Sequence, residues 1–230
     1  MRNILVINPI SDNQWNQTDE SYLKMKAYND TNLNVVCLDT GPKTIECSTD
    51  ISYAAPEILR IINNNKDLYD GILINCFADP IVTAAREVSN IPVVGPGEAS
   101  VVLASMLGHK YSIITPQKDI IPMLERNVEN VGLINKLASI NCLNMTVRDL
   151  EKDKDATLNC VVEAIKNTVE HNNAEVVILG CTGLIFLYSE IKGRINIPVI
   201  EPAATALKML ETLIDLRLSH SKEGLYFYPK

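Results

Sequence analysis

Short apolar runs alternate with helical patterns along the whole chain, and this alternation is written twice. The first pass predicts strands at residues 3–8, 33–39, 71–76 and 92–95, with helices at 18–29, 54–66 and 79–89 between them. A further helix, 98–107, ends at Gly108, which is expected to close it as a C-cap. The second pass predicts strands at 110–115, 139–147, 175–180 and 198–200, and helices at 118–130, 156–171, 183–191 and 203–218. Residues 219–230 read as a tail. Three landmarks test the repeat. Ile7-Asn8-Pro9 matches Ile114-Thr115-Pro116 at an offset of 107, and Asn75-Cys76 matches Gly180-Cys181 at 105. Ile91-Pro92-Val93-Val94 matches Ile197-Pro198-Val199-Ile200 at 106. Strands alternating with helices give a parallel sheet covered on both faces. A near-constant offset gives that plan two copies. The expectation is therefore an α/β chain of two pseudo-symmetric flavodoxin-like lobes. Each holds a four-stranded parallel sheet flanked by helices, and an active site lies in the cleft between them. Residues 1–97 would form lobe 1, completed by the C-terminal helix at about 203–230, and 98–202 would form lobe 2.

Composition narrows the partners. The chain has 230 residues, 47% of them hydrophobic, which suffices for an ordinary core, and a formal net charge of −7. No Lys/Arg cluster is interleaved with aromatics, so nucleic acid is not an expected partner, and the acidic balance disfavours anionic membranes. The first apolar run, residues 4–7, is too short for a signal peptide or a membrane span. A cytoplasmic protein acting on a small molecule is expected, with its thiols reduced. Six cysteines stand at 37, 47, 76, 142, 160 and 181, none at the two-to-four-residue spacing of a zinc knuckle. No metal and no cofactor are expected.

Cys76 and Cys181 each close an apolar strand just before a helix pattern. In open α/β sheets that edge is where ligands bind. A helix N-terminus there would favour the thiolate, the reactive form of cysteine. One cysteine at a strand end is more simply a core residue. Two at equivalent repeat positions favour chemistry. A substrate between opposed sulfurs could lose its Cα proton to one thiolate and gain a proton from the other thiol, which is general acid–base racemisation. The enolate-like intermediate needs donors, for which the N–H groups of Phe77, Ala78, Thr182 and Gly183 are candidates. Asn8 and Thr115 end the two first strands and offer polar groups at the same edge. Asp79 is expected in the first turn of the following helix, with orientation of the Cys76 loop as its other reading. Glu98 opens the crossover helix opposite Ala204 in the repeat, and that asymmetry makes it a supporting candidate. Cys37, Cys142 and Cys160 are expected in the core and Cys47 in a loop. His109, His171 and His220 follow helix ends or sit in the tail, where solvated or capping roles are usual. Gly95-Pro96-Gly97 has neither dinucleotide-fingerprint spacing nor a phosphate-loop lysine, and reads as a strand-to-helix turn.

At these motifs the chain resembles the aspartate/glutamate/hydantoin racemase superfamily, and most closely its hydantoin racemase branch. The matching segments are Ile7-Asn8-Pro9, Asn75-Cys76-Phe77-Ala78-Asp79-Pro80, Ala85-Arg86-Glu87, Ile91-Pro92-Val93-Val94-Gly95 with Glu98-Ala99, and Leu179-Gly180-Cys181-Thr182-Gly183. The resemblance implies the two-lobed fold, a catalytic pair at Cys76 and Cys181, homo-oligomers, and substrates such as 5-substituted hydantoins or allantoin. It also implies a pocket lined by Asn8, Phe77, Thr115 and Thr182. The chain departs from the branch at Ile10, Ile81 and Thr182, and these departures bear on the substrate rather than the chemistry. No Lys or Arg stands beside either cysteine, which favours a neutral ring over a free carboxylate.

Three other readings fit parts of the pattern. An amino-acid racemase, decarboxylase or maleate-type isomerase of the same superfamily would share the scaffold. A non-catalytic small-molecule binding protein would share the two lobes but have no need of thiols. A redox-sensing cysteine pair would be reversibly oxidised.

Overall fold

The computed structural model describes residues 1–229 and contains two four-stranded parallel sheets. The first is built from β1 (Arg2–Asn8), β2 (Thr31–Cys37), β3 (Gly71–Ile74) and β4 (Val93–Val94), in the order β2-β1-β3-β4. The second comprises β5 (Tyr111–Thr115), β6 (Leu137–Cys142), β7 (Val176–Leu179) and β8 (Val199–Ile200), in the order β6-β5-β7-β8. The two orders are the same. In each sheet the chain leaves its first strand to one side and returns to the other. The switch point therefore lies between β1 and β3, and again between β5 and β7.

The helices are α1 (Asn16–Lys26), α2 (Ser48–Asn65), α3 (Val82–Val88), α4 (Pro96–Leu107), α5 (Ile121–Val131), α6 (Lys154–Asn172), α7 (Tyr188–Arg194) and α8 (Pro202–Asp215). Two compact units result, one of residues 1–96 with 206–230 and one of residues 97–205. Their boundaries fall within the first turns of α4 and α8.

Burial explains the strand sequences. β3, β5 and β7 are buried along their whole length, as central parallel strands covered on both faces must be, and they read as unbroken apolar runs. In the first unit, α2 adds Ala54, Ile58, Ile61 and Ile62 to the core at helical spacing. The end of α8 is tied to the same unit. Glu211 is fully buried and accepts from Tyr28 N (2.9 Å), Thr31 Oγ1 (2.7 Å) and Lys208 Nζ (2.8 Å). Arg2 makes a bidentate pair with Asp215 at 2.6 and 2.7 Å. A Cβ on Gly71 would lie 2.8 Å from Leu210 Cδ1, so glycine there lets the helix approach the strand. In the second unit, Leu158, Val161, Val162 and Ile165 of α6 pack with Ile114, Val177, Leu179 and Leu184.

Several elements differ from the sequence expectation. Helix α2 starts at Ser48, six residues before the expected 54, because a capping box closes on Cys47 and Asp50. Asp50 Oδ2 accepts from Glu46 N at 2.9 Å and Cys47 N at 3.1 Å, and Pro56 is carried inside the helix on an exposed face. Gly108 is not a left-handed cap. A Cβ there would lie 2.9 Å from Val176 Cγ2, so this glycine serves close packing. The single helix expected at 183–191 is a 3₁₀ segment, Thr182–Leu187, followed by α7. Cys160 faces outward from α6 rather than into the core. Residues 219–229 pack on the first unit, where His220 Nε2 accepts from Val93 N (2.9 Å) on edge strand β4. Lys222 Nζ donates to the carbonyls of Arg86, Glu87 and Ser89 at the end of α3. That burial, with Lys66 nearby, pushes the Lys222 ammonium below its usual range.

Candidate active site

In the first unit, β3 stops at Ile74, two residues short of the sequence expectation, so Asn75 and Cys76 form the turn that leaves it. Asn75 N still bonds Ile7 O of β1 at 2.8 Å, whereas Cys76 N folds back onto Ile74 O at 2.8 Å. That i→i+2 closure centres a γ-turn on Asn75 and swings Cys76 off the strand line. Asp79 N then bonds Cys76 O at 3.0 Å. The thiol of Cys76 is half-buried, between buried Asn75 and buried Phe77 and Ala78.

Asp79 is not in a helical first turn. It has φ 51° and Ile81 has φ 50°, both left-handed, and α3 begins only at Val82. Two residues in this sparsely populated region cost of order 1–3 kcal/mol each, which the surrounding packing must offset. Gly95 is part of that packing: a Cβ on it would collide with Asp79 Oδ1 and sit 3.0 Å from Val82 Cγ2. Cys76 is thus separated from the helix by a strained loop, and the helix-terminus argument for its thiolate does not apply.

A polar cluster anchors this turn from below. Asn8 and Asn75 are 3% and 4% exposed, and Asp19 of α1 is 7% exposed. Asn8 Nδ2 donates to Asn16 Oδ1 and Asp19 Oδ2, both at 2.9 Å. Asn75 Nδ2 donates to Asn8 Oδ1 at 2.9 Å and to Asp19 Oδ2 at 3.3 Å. Asn8 Nδ2 is engaged twice within the protein, and Asn8 Oδ1 holds Asn75.

The second unit builds the corresponding turn differently. Gly180 N bonds Ile114 O at 2.7 Å, the counterpart of the Asn75–Ile7 bond. No side chain fits at this position: a Cβ on Gly180 would stand 2.7 Å from Ile113 Cγ2 and 2.9 Å from Ile114 O. Cys181 is the N-cap of the 3₁₀ segment, with Leu184 N bonding its carbonyl at 3.2 Å. The backbone N–H groups of Thr182 and Gly183 therefore open a helical turn beside this thiol, and both residues are half-buried. A Cβ on Gly183 would lie 3.3 Å from Cys181 Sγ and 3.8 Å from Leu150 Cδ1 and Val147 Cγ1. The short turn Val147–Asp149 thus shares the neighbourhood of Gly183. Its capping box joins Thr146 and Asp149, and a hydrogen bond from Lys152, then those with Thr146, hold the Asp149 carboxyl down at about 2. Thr115 is 1% exposed, and its Oγ1 has no hydrogen-bond partner among the described residues.

Glu98 lies in the first turn of α4 and is half-buried. The repeat-related helix α8 takes its cap from Glu201, which accepts from Ala203 N and Ala204 N at 2.8 Å each. None of the six cysteines is in a disulfide. Among the described residues no group of three His, Cys, Asp or Glu side chains is placed to hold a metal, and no helix is long and apolar enough to cross a membrane. Neither Asn75 nor Asp19 carries a signal in the sequence that marks it as a support of this turn. Helix α1 is polar almost throughout, so its one buried acid leaves no periodic signal.

Comparison with known proteins identifies the family and the fold. Residues 4–210 match the family model described as Asp/Glu/Hydantoin racemase. A hydantoin racemase from Pseudomonas sp. (strain NS671) is 34% identical over 228 residues, covering 99% of this chain and 92% of that protein. The solved allantoin racemase from Klebsiella pneumoniae superposes with a TM-score of 0.95 at 28% identity, covering 100% of this chain and 94% of that one. An allantoin racemase structure from Pseudomonas fluorescens gives a TM-score of 0.95 at 27% identity, covering 99% and 97%.

Proposed function

Because the chain belongs to the Asp/Glu/hydantoin racemase family and its relatives include hydantoin racemases, we propose that Cys76 and Cys181 are its two acid–base groups. The proposed substrate is a 5-substituted hydantoin or an allantoin-like ring. One observation carries the reading: each cysteine stands two residues beyond the end of the third strand of its sheet, at the switch point of two identically ordered sheets.

The chemistry balances without a further reactant. One sulfur, as thiolate, takes the proton from the ring carbon and becomes a thiol. The carbanion pair left on that carbon takes a proton from the other thiol, which becomes the thiolate. The enzyme ends with the two roles exchanged, ready for the opposite enantiomer. Racemisation by this route requires one sulfur on each face of the stereocentre. The N–H groups of Thr182 and Gly183, with those of Phe77 and Ala78, are the proposed donors to the developing enolate oxygen, and Thr115 Oγ1 is a proposed substrate contact.

A neutral ring is preferred because no Lys or Arg stands beside either cysteine in the sequence. Arg86, on α3, spends Nε on Val93 O (3.1 Å) and Nη1 on Tyr226 Oη (3.0 Å). Polarimetry on enantiopure 5-substituted hydantoins, allantoin, aspartate and glutamate tests both halves of the proposal. Loss of rotation on a hydantoin or allantoin, abolished by Cys76→Ser and by Cys181→Ser, is expected. Rotation lost only on the amino acids would overturn the substrate class, and activity surviving either substitution would overturn the mechanism.

A further inference from the structure

The buried cluster beneath Cys76 has a polarity that only one of its members can set. Asn8 and Asn75 can each present either end of the amide to a neighbour. Asp19, as a carboxylate, can only accept. Its Oδ2 receives Asn8 Nδ2 at 2.9 Å and Asn75 Nδ2 at 3.3 Å, so both NH₂ groups must face it. With Asn8 so oriented, its Oδ1 is left for Asn75 Nδ2, and the 2.9 Å bond between them follows. Turning Asn75 over would set its oxygen against two other oxygens. Asn75 is also the centre of the γ-turn closed by Cys76 N and Ile74 O.

We propose that Asp19 is a positioning residue, which fixes the Asn75 turn and through it the aim and exposure of the Cys76 thiol. The proposal rests on the reading of Cys76 as an acid–base group. The turn at Cys181 is built from other residues: Gly180 takes the place of Asn75, and Leu124, buried in α5, holds the place that matches Asp19. The two thiols of one chain therefore provide a test and its internal control.

The experiment is iodoacetamide alkylation of the full-length protein across pH, followed by peptide mass spectrometry at both cysteines, for wild type, Asp19→Ala and Asp19→Asn. Removing the Asp19 side chain takes away the acceptor that both amides share and frees the turn, which speeds alkylation. In Asp19→Ala, Cys76 is expected to react at least about threefold faster at neutral pH, with Cys181 unchanged. Turnover should fall at least about tenfold with little change in KM, since the thiol is misplaced rather than the substrate released. Asn at position 19 keeps an acceptor oxygen but not the fixed polarity of a carboxylate, so both readouts should fall between those of Asp19→Ala and wild type. Unchanged Cys76 reactivity would overturn the proposal. So would equal acceleration at both cysteines, which reports loss of fold, or an Asp19→Asn variant as impaired as Asp19→Ala. Alkylation is read on the thiols directly, so an error in the racemase reading shows separately, as wild-type protein with no turnover and the Cys76 signature intact.

Discussion

The turns carrying Cys76 and Cys181 leave equivalent strands at equivalent points, yet they are held by opposite means. In the first, a polar clamp of Asn8, Asn75 and Asp19 fixes the backbone through four side-chain hydrogen bonds that include Asn16. In the second, Gly180 brings backbone onto backbone, with Ile113 and Ile114 filling the space where a side chain would be. The backbone bond preceding the thiol is nevertheless the same, 2.8 Å from Asn75 to Ile7 and 2.7 Å from Gly180 to Ile114. A repeated fold can thus preserve a main-chain geometry while replacing the chemistry that enforces it. The comparison also predicts that the two thiols fail in different ways.

The largest effect should come from breaking the close approach. Gly180→Ala forces a Cβ to within 2.9 Å of backbone oxygen Ile114 O, which cannot move aside as a side chain can. A loss of about 3 kcal/mol is expected, at the upper end of overpacking costs. At roughly 2–4 °C per kcal/mol for a chain of this size, a thermal melt would read it easily. Asn8→Ala attacks the clamp instead, leaving Asp19 and Asn75 buried with partners missing. It should cost about 2 kcal/mol, within the range for a buried polar group left unsatisfied, and should accelerate alkylation at Cys76 only.

Thr115, the repeat counterpart of Asn8, sharpens the contrast. Its buried hydroxyl has no hydrogen-bond partner among the described residues, so Thr115→Val should relieve a desolvation penalty and stabilise the fold by about 1 kcal/mol in chemical denaturation. If the hydroxyl meets substrate as proposed, KM should rise even though the fold is no less stable.

The smallest effect concerns the turn near Gly183. Folding lowers the Asp149 carboxyl to about 2, so its stabilising contribution is present above the ordinary carboxylate value. It is lost as the pH falls from about 4 through about 2. The difference in melting temperature between wild type and Asp149→Asn should therefore shrink over that window. A constant difference would mean that the ionised carboxylate does not brace the turn.

The alternation of strands and helices and the duplicated plan were legible in the sequence because each rests on local apolar runs and on an offset that landmarks can check. The supports of the site were not. A buried acid such as Asp19 lies in a helix with no apolar stripe, and its partners are brought to it by β1 and β3 from far along the chain. The left-handed backbone at Asp79 and Ile81 was hidden for another reason. Neither residue type requires that conformation, and it is the packing of Asp79 on Gly95 that goes with it. Helix α2 shows the converse case, in which a purely local feature, the Cys47–Asp50 box, starts the helix six residues earlier than expected.

The most direct test of the central claim is isotope uptake from a single enantiomer. The active substrate would be incubated in D₂O and stopped at low conversion, and the reacting carbon of both enantiomers would be examined by NMR. Two opposed thiols predict deuterium in the newly formed enantiomer, which receives its proton from the solvent-exchanged second thiol, and protium retained in the recovered substrate. Both Cys76→Ser and Cys181→Ser should abolish formation of the new enantiomer. Deuterium appearing equally in recovered substrate and product, or product formed with either cysteine replaced, would contradict the two-thiol account.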